Sequence, residues 1–162
     1  LENFHSKLAE FPNCIKKNDQ KTRTLTIHNE KFSYKKSVVG ASQMGLPIIG
    51  LEITSSTSEL LPKEERKIIT LFSRQHPYES PTSFVVEGLL EFLISEDLMA
   101  VLLRNLFIFL IFPMVNPDGV VVGNSRTNIC GRDLNNNWDS PRSDLDSEIF
   151  GIKQYLKEIR PG

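Results

Sequence analysis

Alternating apolar and polar positions mark the first element that can be read along the chain. From Thr22 to Ile27 the run is alternating and rich in β-branched residues, which predicts a strand with one buried face. Leu46 to Thr54 predicts a second strand, and its Pro47 suits a strand start or edge better than a sheet centre. Lys67 to Ser73 is a third, short and apolar. Ser80 can cap a helix whose first position is Pro81, and Val86, Leu89, Leu90 and Leu93 recur along one face of it. A short helical turn around 97–103 leads to Leu106–Phe112, which is apolar on both faces, as a central strand covered by helices would be. A last helix is expected near Ser143, with Leu145, Ile149, Ile152, Leu156 and Ile159 on one stripe and Pro161-Gly162 after it. Residues 3–11 read as a short amphipathic helix stopped near Pro12, and the polar 13–21 as a loop.

Strands alternating with helices imply an α/β fold, a mixed, mostly parallel central sheet flanked by helices. Ligand sites in such sheets collect at the carboxyl ends of strands. Two polar segments follow strand ends: 74–80, and the long connection 113–142, whose length in a compact domain points to function.

Composition changes this picture little. The chain has 162 residues, a net charge of −1 and an ordinary apolar fraction, which suits a globular domain and gives no reason to expect a nucleic-acid or membrane partner. The apolar stretch 106–112 is too short to span a bilayer. Cys14 and Cys130 stand far apart in no metal or redox spacing, so a reduced, cytoplasmic chain is expected. The start, Leu1-Glu2-Asn3-Phe4-His5, has no secretory pattern and no Met, so the chain is expected to be part of a longer one.

The chemistry lies in those two segments. In Arg74-Gln75-His76-Pro77-Tyr78-Glu79-Ser80, an imidazole and a carboxylate three residues apart can face one metal ion, and zinc accepts both ligand types. Alternatively His76 is a hydrogen-bonded surface histidine, and Glu79 favours the helix dipole. The second segment carries Pro113-Met114-Val115-Asn116-Pro117-Asp118-Gly119, Gly123-Asn124-Ser125-Arg126 and Gly131-Arg132-Asp133-Leu134-Asn135-Asn136. Arg126 and Asn135 can hydrogen-bond a carbonyl or carboxylate, and an arginine beside a metal can steady a developing oxyanion.

In this order, over roughly residues 45–160, the segments resemble the zinc carboxypeptidases, and among them the cytosolic carboxypeptidases that trim glutamates from tubulin and other proteins. The resemblance implies Zn²⁺ bound by His76 and Glu79, a scissile carbonyl polarised by Arg126, and a terminal carboxylate held by Asn135. It implies a zinc carboxypeptidase-like sheet, incomplete at its C-terminal end, with residues 1–162 forming the N-terminal part of one catalytic domain. The family's remaining zinc histidine and its catalytic glutamate fall after residue 162, so this polypeptide alone is expected to be inactive and to bind zinc weakly. Peptide or protein C-termini, tubulin among them, are the implied partners.

Two positions depart from the family pattern. Tyr78 stands where glycine is usual, with an expected cost if the backbone needs φ > 0. Asn136 stands where an arginine clamps the terminal carboxylate, a loss of roughly 1.5–3 kcal/mol for a charged hydrogen bond. Arg132 is the nearby candidate to compensate. Both departures also suit a pseudoenzyme or C-terminal-peptide binding module. A third alternative, the deacylase branch of the superfamily, fits the Asn-Pro-Asp-Gly and Gly-Asn-Ser-Arg segments less well.

Overall fold

The computed structural model describes residues 15–57 and 59–159. The expected helix at 3–11, with His5 and Cys14 near it, lies outside them. Six strands form one sheet in the order β1-β2-β3-β4-β6-β5: β1 Ile15–Asp19, β2 Thr24–His28, β3 Phe32–Ala41, β4 Pro47–Ser55, β5 Lys67–Phe72 and β6 Phe107–Phe112. Four α-helices accompany them: α1 Pro81–Ile94, α2 Leu98–Leu106, α3 Pro117–Val122 and α4 Ser147–Ile159. Pro47 opens β4, as its missing N–H favours.

The mixed sheet is as expected, but it is not mostly parallel. β1–β2, β2–β3 and β4–β6 are all antiparallel. For the first two pairs the physical reason is connection length: a parallel neighbour needs a crossover of a dozen or more residues, whereas β1, β2 and β3 are joined by tight turns. Asp19 Oδ1 accepts from the N–H groups of Lys21 and Thr22 at 2.9 and 3.2 Å, and Arg23 takes φ 51° to close the first turn. Asn29 Oδ1 accepts from Lys31 and Phe32 at 2.9 and 2.8 Å in the second. These are Asx turns, in which a side chain replaces a backbone acceptor.

The chain divides into two compact units, one of residues up to 37, 51–71 and 84–111, the other of 38–50, 72–83 and 112 onward. In the first, Leu51 and Ile53 pair with Ile111 and Phe109 across β4 and β6, all of them buried. Val86, Leu90 and Leu93 of α1 are buried with them, so the apolar stripe read from the sequence faces the core. Two buried arginines complete this unit. Arg66 donates to Thr54 Oγ1 at 2.8 Å and to the carbonyls of Ser55 and Leu61, and Arg104 donates to the carbonyls of Leu93, in the last turn of α1, and Ser95, just past it.

In the second unit the buried apolar residues include Ile48, Phe112, Val115, Leu134, Ile149 and Ile152. Gly40 of β3 and Gly151 of α4 let two backbones touch, since a Cβ on Gly151 would meet Gly40 Cα and Val39 O at 3.2 Å. α4 begins at Ser147 rather than near Ser143 because residues 142–146 close a turn of their own. In it the Asp146 N–H donates to Arg142 O at 2.7 Å, and the Asp146 carboxylate accepts from the Arg142 N–H.

Candidate metal and substrate site

The loop after β5 is fixed along its backbone. Ser73 N–H donates to Phe112 O at 2.9 Å, Val115 N–H to Ser73 O at 2.9 Å, and Asn116 N–H to Arg74 O at 3.0 Å. Arg74 takes φ 54°, and its guanidinium donates to Pro77 O at 2.7 Å and to Ser83 Oγ at 3.1 Å. Asn-Pro-Asp-Gly is more than a turn. Asn116 caps α3 by accepting from Gly119 N–H at 2.9 Å and also donates to Gln75 O at 3.2 Å. Gly119 must be glycine here, because a Cβ would come within 2.4 Å of Pro77 Cγ. α3 therefore packs closely against Pro77.

His76 is buried, and its two ring nitrogens face two carboxylates. Nδ1 lies 2.9 Å from Glu79 Oε1 and Nε2 lies 3.1 Å from Asp133 Oδ1. Asp133 also accepts from Arg126 Nε at 2.8 Å, from the Asn135 N–H at 3.0 Å and from Asn136 Nδ2 at 3.1 Å. Burial opposes ionisation of Asp133, but hydrogen bonds from Arg126, the Asn135 N–H and His76 outweigh it and hold its carboxyl below the usual carboxylate range. One anionic carboxylate thus bonds four of the five residues singled out in the sequence, His76, Arg126, Asn135 and Asn136, and the fifth, Glu79, meets the other nitrogen of His76. Asp133 itself was not among them. The hint was its place inside Gly-Arg-Asp-Leu-Asn, but its contact to His76 spans 57 residues and no local spacing announces it.

The loop that carries Arg126 and Asp133 is organised from within. Asn128 is buried, accepts from the N–H groups of Cys130 and Arg132 at 3.0 Å, and donates to Leu145 O at 2.8 Å. Arg132 does not compensate for Asn136. Its guanidinium is engaged with buried Asp146 at 3.0 Å and with Asn137 Oδ1 at 2.7 Å, so it serves the scaffold. Trp138 donates to Gln75 Oε1 at 2.7 Å and its ring lies 4.7 Å from that of Phe72, which holds the far end of the loop against the first segment. Tyr78 needs no left-handed backbone, since Arg23 and Arg74 are the non-glycine residues with positive φ among those described. The cost expected for Tyr78 on that ground does not arise. Its side chain is 61 % exposed and its N–H donates to Ser125 O at 3.2 Å.

The donor set fits zinc as part of a site. Two ligands on a tetrahedral zinc, each at about 2.0–2.1 Å, stand about 3.3 Å apart, close to the 2.9 Å between His76 Nδ1 and Glu79 Oε1. With Asp133 accepting from Nε2–H, a neutral imidazole turns the Nδ1 lone pair toward the Glu79 carboxylate. Two electron-rich atoms at that distance need a positive charge between them, a proton or a metal ion. A carboxylate on the outer nitrogen is the arrangement that orients metal-binding histidines. Among the described residues no group of three or more His, Cys, Asp or Glu is placed to hold a metal, so His76 and Glu79 supply two donors and no third. His28 ends β2 with its Nδ1 3.4 Å from Ser56 Oγ.

Comparison with known proteins gives the family. The zinc carboxypeptidase family model matches residues 24–153, and the chain belongs to that family. It is 38 % identical to human cytosolic carboxypeptidase 6 over 105 residues, 65 % of this chain and 21 % of that protein. It is 43 % identical to mouse cytosolic carboxypeptidase 4 over 145 residues, 85 % of this chain and 13 % of that one. The match thus spans about a fifth or less of these relatives. Among solved structures, a metallo-carboxypeptidase from Burkholderia cenocepacia superimposes with a TM-score of 0.70 at 27 % identity, covering 97 % of this chain and 36 % of that one.

Proposed function

We propose that residues 1–162 are the N-terminal part of a catalytic domain that hydrolyses C-terminal residues from peptides or proteins with zinc. The observation that supports this is the Asp133 carboxylate, which bonds both Arg126 and His76, with Glu79 at the other His76 ring nitrogen. His76 and Glu79 would hold the ion, which when bound lowers the pKa of its water and polarises the carbonyl. Asp133 fixes the His76 ring and proton. It grips Arg126 by Nε, and the terminal guanidinium nitrogens, half-exposed and without hydrogen bonds among the described residues, are left for the substrate carbonyl. Asn135, whose N–H donates to Asp133, has an exposed side chain for the terminal carboxylate.

Similarity to the cytosolic carboxypeptidases supports cytoplasmic action on C-terminal glutamates, in proteins such as tubulin. Among the described residues no helix is long and apolar enough to cross a membrane. The test is release of glutamate from a Glu-rich C-terminal peptide by the complete catalytic domain, of which residues 1–162 are the N-terminal part in this reading, with and without zinc. Release abolished by a chelator and by His76→Ala supports hydrolysis. One observation favours the pseudoenzyme alternative: Asn136, neutral and donating to Asp133, stands where the clamp arginine is usual. Tight peptide binding without release, in the zinc-loaded complete domain, would decide for that alternative.

A further inference from the structure

The sheet segment 15–37 holds seven Lys or Arg against two Asp or Glu, in a chain whose net charge is −1. Asp19 is absorbed into its own turn, where it accepts from two backbone N–H groups. Lys31 pairs with Glu96 at 2.7 Å. Among the described residues, Lys17, Lys21, Arg23 and Lys35 form no ion pair.

The register puts these four together. Lys17 faces Thr26 across β1–β2, and Thr26 faces Lys35 across β2–β3. The adjacent register pair, Ile27 and Tyr34, is buried, so strand alternation sends the Lys17–Thr26–Lys35 row to the opposite face. Two strand spacings separate Lys17 from Lys35, about 10 Å. Lys21 and Arg23 sit in the turn just past the next row of that face, Asp19–Thr24–Ser37; Lys17, Lys21 and Arg23 are exposed, Lys35 is half-buried and Ser37 is buried, so the face is open on its β1 and turn side. At physiological salt the screening length is about 8 Å, so cations about 10 Å apart are largely screened from one another and an acidic ligand must contact each of them directly.

The segment offers little else to bind with. Phe32 and Tyr34 are fully buried, and no large apolar side chain described within 15–37 is exposed. It therefore has no aromatic platform on which a single-stranded base could stack and no apolar wedge for a bilayer. An extended peptide places alternate side chains about 7 Å apart on one face, so two or three carboxylates span the row.

We infer that the Lys17–Thr26–Lys35 face, with Lys21 and Arg23 at its turn, docks an acidic extended peptide segment of a partner protein. This docking is separate from hydrolysis, and a protein unable to cut would retain it. The experiment measures binding of a labelled oligoglutamate peptide to the full chain carrying His76→Ala, by fluorescence anisotropy at low and physiological salt. Lys17→Glu with Lys35→Glu is expected to weaken binding roughly tenfold or more, as several exposed charge contacts reversed together would. Lys21→Glu with Arg23→Glu is expected to act in the same direction. Lys67→Glu with Lys157→Glu makes the same change in net charge elsewhere and is expected to leave binding within about twofold. Circular dichroism reports folding, and the Gln variants at positions 17 and 35 replace the Glu ones if those fail to fold. Equal losses in all three pairs would overturn the proposal, because net charge would then suffice. So would an oligonucleotide or an anionic vesicle that displaces the peptide at equal charge concentration. Absence of glutamate release by the unsubstituted protein bears on the catalytic proposal and leaves this one untouched.

Discussion

Asp133→Asn removes one charge and keeps the shape of the hub. Asp133 accepts four hydrogen bonds, from Arg126 Nε, His76 Nε2, the Asn135 N–H and Asn136 Nδ2. An amide cannot accept all of them with both terminal atoms, since its NH₂ group must face a donor, either Arg126 or the His76 ring. If that donor is His76, the ring must present a lone pair at Nε2 and a proton at Nδ1, which is the wrong tautomer for a metal facing Glu79. Outer-shell carboxylates of this kind are worth roughly 10- to 100-fold in metal affinity. The stability cost is smaller, about 1–2 kcal/mol, because the Arg126 partner is half-exposed and solvent screens that pair. Zinc affinity is measured by competition with a chromophoric chelator, and stability by urea unfolding of the metal-free protein. A stability loss of the expected size with zinc affinity unchanged would refute the assignment, leaving Asp133 as a loop brace only.

Gly119→Ala is expected to push Pro77, since the new Cβ would meet Pro77 Cγ at 2.4 Å and Asn116 Oδ1 at 2.7 Å. A loss of about 1–3 kcal/mol in urea unfolding should come with weaker zinc binding. Asn136→Arg restores a cation where the family clamps the terminal carboxylate. A peptide with a free C-terminus should bind roughly tenfold tighter or more, with no gain for its C-terminal amide, as isothermal titration would show. Glu148 is buried, with Oε1 unpartnered, and burial followed by the charge of Asp118 raises its pKa. Its folded form holds a proton more tightly than the unfolded chain. Stability from this residue is therefore present below the ordinary value of 4.5 and falls as pH rises through that value toward the folded one. Glu148→Gln should flatten that slope in denaturation midpoints measured across pH.

What could be read from the chain depended on whether the information was local. Leu106–Phe112 and the Val86/Leu90/Leu93 stripe announced themselves, because an apolar run and a helical period need no partner to be recognised. β1, with Lys16, Lys17 and Asn18, reads as polar loop and becomes a strand only by pairing with β2. β3 was missed because Lys35-Lys36 interrupts the alternation that Phe32 and Tyr34 begin. His76 and Glu79 were legible because three residues on one turn bring them within 2.9 Å. Asp133, Arg132 and Tyr78 were not: the role of each depends on a partner or a backbone angle set by the rest of the fold. The expectation of mostly parallel strands failed for the same reason, since it came from the helix-containing half of the chain and overlooked the hairpins before it.

The most direct test is zinc X-ray absorption spectroscopy on the metal-loaded protein, comparing the unsubstituted chain with His76→Ala and Glu79→Gln. Zinc ligated by an imidazole nitrogen and carboxylate oxygen, with the nitrogen shell lost in His76→Ala and affinity reduced in Glu79→Gln, is the predicted result. The same zinc content, affinity and ligand shell in all three proteins would contradict the assignment of His76 and Glu79 as the metal pair.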